Sequence, residues 1–86
     1  MDIDKIEEIF DKAVTVRGQG DSNLIALIII GKYSNNVIGA AEHDKIYSED
    51  VEVLIEKGIT EDEIRTIASL PGWHYDDEYQ CLATFV

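Results

Sequence analysis

The side chains able to do covalent or metal chemistry are few: His43, His74 and a single cysteine, Cys81. A zinc site built on them would follow no known ligand spacing and would have to borrow a carboxylate as its fourth ligand. Both histidines flank predicted turns, where surface or capping roles are the ordinary finding. Cys81 and His74 could form a nucleophile and its base. Cys81 stands inside an alternating, strand-like run, however, where a thiol is usually buried and inert. No oxyanion site or orienting group accompanies the pair. Gly18-Gln19-Gly20 lacks the lysine and the following helix of a phosphate-binding loop. Carboxylates occur in runs, Glu61-Asp62-Glu63 and Asp76-Asp77-Glu78, but carboxylate catalysis needs neighbours split in pKa by burial. Asp76-Asp77-Glu78 also lacks the alternate spacing and glycine of a calcium loop. These residues imply no cofactor, no metal and no enzyme.

What the carboxylates can do is bind cations. The chain of 86 residues carries eighteen Asp and Glu against seven Lys and Arg, a formal net charge of −11. Solubility asks for a magnitude of only about 2–8 in a small domain, so the excess points to a basic partner. Direct nucleic-acid binding is excluded, because it needs a basic patch. The charge is also uneven. Glu42 to Glu78 holds twelve acids and three bases, whereas the first forty-one residues hold six acids and four bases. Carboxylates beside Trp73, Tyr75 and Tyr79 would meet arginines bidentately, with aromatic anchors between them.

The elements that must position these groups form a single α+β domain over residues 1–86. Ile3, Ile6, Ile9, Phe10 and Ala13 recur at helical spacing, predicting a helix over Ile3–Lys12. Val14–Arg17 alternates like a strand, and Gly18–Ser22 is a turn. Asn23–Ile30 is almost continuously apolar and rich in isoleucine, which predicts a central strand covered on both faces. After a turn at Lys32–Asn36, Val37–Ala41 gives a third strand. Short connections imply a three-stranded antiparallel sheet.

Two helices follow. Ser48 is the expected N-cap of the first, with Glu49 and Asp50 in its first turn. Val51, Leu54 and Ile55 make its buried stripe, and Gly58 is a left-handed C-cap. Thr60 to Glu63 is a capping box, with Ile59 and Ile64 as its hydrophobic staple. Ile64, Ile67, Ala68 and Leu70 form the inner face of the second helix, which Pro71-Gly72 ends. Trp73–Glu78 is an aromatic, acidic loop, and Tyr79–Val86 a final strand. No stretch is long enough to cross a bilayer, Leu24–Ile30 included. The amino terminus has no leader pattern, and the lone cysteine asks for no oxidising compartment. A cytoplasmic protein is expected.

Met1-Asp2-Ile3-Asp4 opening a helix, Val14-Thr15-Val16, and Gly20-Asp21-Ser22-Asn23 leading into Ile28-Ile29 resemble the phage-encoded anti-CRISPR proteins. These are small acidic inhibitors of the RNA-guided DNA nuclease of type II systems. The predicted order of helix, three strands and two helices resembles that family too. The resemblance implies an acidic plug for the groove that reads the PAM duplex through arginines, and Asp21 is the matched acid. Two features depart from the family's pattern: Lys32–Asn36 lacks its acids, and the chain ends in a strand.

The sequence thus predicts a nucleic-acid mimic that binds the basic groove of a nucleic-acid-binding protein, a CRISPR effector nuclease, and blocks capture of target DNA. Asp21, Glu49, Asp50, Glu52, Glu61, Asp62, Glu63, Asp76, Asp77 and Glu78 would make the contact, with Trp73 and Tyr75 as anchors. An immunity protein neutralising a basic nuclease would use the same physics. A homodimeric assembly module joined through an edge strand at Leu24–Ile30 is the alternative from another class. The chain would act as a monomer or a homodimer.

Overall fold

A computed structural model of the chain describes residues Met1–Phe85. Helix α1 (Ile3–Lys12) begins at Asp2, whose carboxylate accepts a hydrogen bond from the Lys5 amide at 2.9 Å. Its stripe buries Ile6 and Ile9. The next element departs from the expected strand. Residues Ser22–Gly31 form helix α2, capped by Asp21, which accepts from the Leu24 amide at 3.1 Å. A continuous apolar run does not distinguish the two periodicities, and here capping and burial decide. The helical turn places Ala26 and Ile30, both fully buried, against the core. Asn23 fixes the start of the helix by accepting from the Trp73 indole at 3.2 Å.

The expected strand at Val14–Arg17 is also absent. That segment is exposed, and among the described residues its one backbone bond across the fold runs from the Val16 amide to the Ser69 carbonyl at 2.8 Å. Val14 is 78% exposed, so the alternation there has no neighbour to pair with.

The sheet is built later in the chain than expected. Strands β1 (Ala40–Glu42), β2 (Lys45–Asp50), β3 (Trp73–Asp76) and β4 (Cys81–Phe85) form a four-stranded antiparallel sheet in the order β1-β2-β4-β3. Only the end of the expected strand Val37–Ala41 survives, as β1. The expected loop at Trp73–Glu78 is largely β3, because Trp-His-Tyr is a strand-forming run that its acidic neighbours disguise. The expected final strand is β4, with Val86 outside the described residues.

Between β2 and β3 in the chain lie helices α3 (Val51–Lys57) and α4 (Glu61–Ala68). Ser48 is not the N-cap of α3. It lies within β2, 4% exposed, donating its hydroxyl to the Val37 carbonyl, and Asp50 takes the cap position. Gly58 closes α3 at φ 99°, a left-handed conformation that suits glycine. The capping box of Thr60 and Glu63 is present as expected. Ile6, Ile30, Leu54, Ile64, Ile67, Leu70 and Leu82 are buried in one cluster between the helices and the inner face of the sheet.

Because Asp21 holds the first turn of α2, Asp21→Ala should lower unfolding free energy by about 1 kcal/mol. Urea denaturation measures this, and an unchanged midpoint would detach Asp21 from the helix.

Candidate functional site

Strand β4 carries the geometry of the site. Asp50 of β2 and Asp76 of β3 both stand opposite Cys81, so the two acids lie in one row across the sheet. Between Tyr47 and Asp50 the pairing gains one residue on β2, a bulge. Bulges re-aim side chains, and this one turns Ser48 inward. Its neighbour Glu49 accepts from the Ser34 hydroxyl and, at 2.8 Å, from the Asp50 amide. The Val51 amide then bonds the Gln80 carbonyl at 3.0 Å, tying the start of α3 to the β3–β4 turn.

An open groove forms at this corner. Glu42, Glu49 and Asp50 line it with Tyr47, Tyr79 and Cys81, and no basic side chain is among its walls. Tyr47 and Tyr79 meet edge to face, their ring centroids 5.2 Å apart. A second groove lies on the far side of the same turn, where Glu7 and Asp11 of α1 face Asp77 beside Tyr75 and His74. Desolvation, followed by the charges of Glu7 and Asp77, pushes the Tyr75 hydroxyl above its ordinary pKa. The turn from Asp77 to Gln80 joins the two grooves. Glu42, Asp50, Asp77 and Glu78 make no ion pair or side-chain hydrogen bond among the described residues. Lys5, Lys12 and Arg65 line, with Glu8, a groove between α1 and α4, whereas Lys45 lies beside the turn on Asp76.

The expected site residues therefore divide. Glu49, Asp50, Asp76, Asp77 and Glu78 gather around the β3–β4 turn, with Glu52 in the first turn of α3. Glu61, Asp62 and Glu63 stand instead at the start of α4 among cations. Glu61 is 3.6 Å from Lys5 and 3.7 Å from Arg65, and Asp62 is 3.3 Å from Arg65. Asp21 is occupied as a helix cap. Trp73 is 5% exposed, a core side chain rather than a surface anchor, because α2 covers it through Asn23. Tyr75 is half-buried, and Tyr79, 56% exposed, is the more available ring. Sequence reasoning missed Glu7 and Asp11 as neighbours of Asp77. Their place on the polar face of α1 was visible, but the packing of that helix beside β3 was not.

Asp76 is spent inside the fold. Lys45 donates to it at 2.7 Å, and the Tyr79 amide at 3.0 Å. Burial pushes its carboxyl up, but these bonds outweigh that and hold it below the ordinary value. The same partnership raises Lys45, against the opposing effect of desolvation. Cys81 is buried beneath this row. Burial first, then the charges of Asp76 and Asp50, push its thiol up to about 11. It is protonated at neutral pH and a poor nucleophile. Among the described residues, no cluster of three or more His, Cys, Asp or Glu could hold a metal ion. Nor is any helix long and apolar enough to cross a membrane.

Comparison with family models, with curated proteins and with solved structures gives no match for this chain. The strand order on which part of the anti-CRISPR resemblance rested is not the order of this fold, since α2 replaces its central strand.

Glu63 is the most perturbed acid. Burial raises it, but bonds from the Tyr33 hydroxyl, Thr60 and Lys32 prevail and bring its pKa from 4.5 to about 2. A depressed carboxyl stabilises the fold above its unfolded pKa and loses that contribution as pH falls through the folded value. With its side chain 17% exposed, Glu63 should contribute on the order of 2–3 kcal/mol at neutral pH. That contribution should be lost between pH 4.5 and about 2. Glu63→Gln should lower stability at neutral pH and flatten the acid limb, read by urea unfolding across that range. An acid limb as steep as the parent's would reassign the loss to other carboxylates.

Proposed function

We propose that this chain is an acidic binding protein that docks the β3–β4 turn and its two flanking grooves onto a basic, nucleic-acid-binding surface of another protein. By occupying that surface it excludes the nucleic acid. The observation that carries this reading is the segregation of charge. The unpaired carboxylates Asp50, Asp77 and Glu78 lie at the β3–β4 turn and Glu42 lines the groove beside it with Tyr47 and Tyr79, while Lys5, Lys12 and Arg65 lie between α1 and α4. Carboxylates spaced along a groove can accept guanidinium groups as phosphates do, and tyrosine faces add cation–π contacts. With a net charge of −11, encounter with a cationic cleft would be fast and sensitive to salt. The reading combines this geometry with the sequence resemblance to anti-CRISPR proteins, and an RNA-guided DNA nuclease is the target to which it commits.

The test is capture of PAM-bearing DNA by a guide-loaded type II nuclease in the presence of the purified chain. Inhibition is expected, weakening steeply as salt rises. Asp50→Asn with Asp77→Asn and Glu78→Gln should weaken it roughly tenfold or more. Glu61→Gln with Asp62→Asn, acids already beside cations, should cost little. Inhibition indifferent to salt, or equally damaged by the α4 substitutions, would refute docking through the turn. Absence of inhibition would remove the nuclease as the target.

A further inference from the structure

A sheet ordered β1-β2-β4-β3 has β1 and β3 as its edges. The edge-strand pairing expected at Leu24–Ile30 is closed to that segment, because it lies in helix α2 and a helix satisfies its own backbone. The direction in which β3 turns its backbone follows from the ladder. The Tyr47 carbonyl accepts from the Gly39 amide at 2.9 Å, so the Tyr47 backbone faces β1. Successive residues of an antiparallel sheet turn their N–H and C=O groups to opposite sides. Ile46 therefore faces Thr84, Ala83 faces His74, and Tyr75 turns its backbone to the free edge. The Trp73 amide agrees, since it donates to the Leu70 carbonyl at 3.3 Å and not to β4. Among the described residues, no other segment bonds the Tyr75 amide or carbonyl.

The groove beside this edge has a volume of about 290 Å³, and Glu7, Asp11, Thr15, Tyr75 and Asp77 are among its walls, with no lysine or arginine. Glu7, Asp11 and Asp77 make no ion pair among the described residues, since the nearby Lys5 and Lys12 lie on Glu61 and Glu8. Edges are ordinarily blunted by lysine, proline or a covering element. This one keeps an open backbone rimmed by carboxylates, and the rim selects what can pair with it. A second copy's β3 would bring its own Glu7, Asp11 and Asp77 against the first set, and its β1 carries Glu42. Like charges oppose both pairings.

We infer that the edge of β3 takes up an extended segment of a basic partner protein as a fifth strand of the sheet, with arginine or lysine at alternate positions. This rests on the proposed docking in taking the partner to be basic, and it specifies how one of the two grooves is filled. Hydrogen bonds to the Tyr75 backbone hold the strand, and the acids choose its side chains. Alternate residues of a strand stand about 6.7 Å apart on one face. Glu7 and Asp11, one turn apart, stand about 6 Å apart along α1, a spacing that two cations on the added strand match.

The probe is a synthetic peptide of alternating arginine and valine, added to the full chain. Hydrogen exchange followed by NMR reads the Tyr75 amide directly. Unbonded and fast to exchange in the free chain, it should slow roughly tenfold or more when the peptide is bound. Glu7→Gln with Asp11→Asn, on the exposed face of α1, should weaken binding roughly tenfold or more with an unchanged circular dichroism spectrum. Only one edge of the added strand meets β3. Methylating the peptide nitrogens at every arginine or at every valine should therefore abolish binding in one case and spare it in the other. No binding, an unchanged Tyr75 amide, equal binding of the two methylated peptides, or binding by the double variant like that of the parent would each overturn the inference. Nuclease inhibition by a chain that fails these tests would leave docking through the turn standing and remove the added strand alone. Strand uptake without nuclease inhibition would support the inference and remove the nuclease as the target.

Discussion

The pairing of β4 with both β2 and β3 is the constraint on which the molecule depends. Cys81, Leu82, Ala83 and Thr84 are all buried, although β4 is flanked by strands on both sides and has helices on one face only. Leu82 points into the helical cluster, and alternation sends Cys81 and Ala83 to the other face. That second face is covered by side chains of its own sheet. Lys45, Tyr47 and His74 come from the neighbouring strands, and Tyr79 leans in from the turn. A strand in the middle of a small sheet can thus be closed to water on both faces without a second layer of helices. Its register with β2, shifted by the bulge, sets Asp50 level with Asp76 and brings the start of α3 to the β3–β4 turn.

Eighteen acids cannot all be paired by seven bases, so where the pairs form decides which surface stays negative. The bases are spent mostly on helix ends. Lys12 bonds Glu8 within α1 at 2.9 Å, Arg65 faces Glu61 and Asp62 within α4, and Lys32 reaches from the end of α2 to Glu63 at 3.0 Å. Most of these contacts are exposed and individually worth little. Glu63 is the exception, because the Tyr33 hydroxyl and the Thr60 cap surround a carboxylate that is mostly shielded from water. Glu42–Asp50 and Asp76–Glu78 hold seven acids against Lys45 alone. Asp4, Glu7, Asp11, Glu52 and Glu56 carry further negative charge on the helices, so the field is densest at the strands and the β3–β4 turn without being confined to them.

What could be read from the residues alone follows from how local each signal is. Helix α1, the glycine stop at Gly58 and the capping box at Thr60 rest on contacts three or four positions apart, and the structure contains each as expected. The gathering of Asp50, Asp76, Asp77 and Glu78 was partly legible, since those acids are concentrated late in the chain. Helix α2 was not legible as a helix. Its isoleucines favour a strand by propensity, and its run from Asn23 to Ile30 is long for a strand but short for a helix, while the Asp21 cap favours a helix. Only burial against Trp73 and α4 resolves the conflict. Ser48 misled for a similar reason. A serine followed by two acids reads as a helix start, yet alternation through Ile46 and Tyr47 keeps the residue in β2 until the bulge has passed. The isolation of Glu61, Asp62 and Glu63 from the acidic turn depended on which helix packs where, and no local pattern encodes that.

Lys45 shows that the chemistry the proposed docking would ask of a partner is already present within the fold. Its ammonium lies 5.0 Å from the centre of the Tyr47 ring and 5.6 Å from that of Phe85, while donating to Asp76 at 2.7 Å. The side chains of Lys45 and Asp76 are only 20% and 9% exposed, so both ions have given up most of their water. That loss is tolerated because the carboxylate also accepts from the Tyr79 amide, and because the lysine stem covers apolar surface of the sheet. A cation held between aromatic rings and a carboxylate is thus stable on this face even with little solvent. At the neighbouring groove the rings of Tyr47 and Tyr79 stand beside Glu42, Glu49 and Asp50, and no internal lysine fills the place. Asp76 has its cation within the chain. Asp50, on the other side of β4 in the same row, does not among the described residues, and in the proposed docking a guanidinium from the partner would complete there the arrangement that Lys45 completes at Asp76.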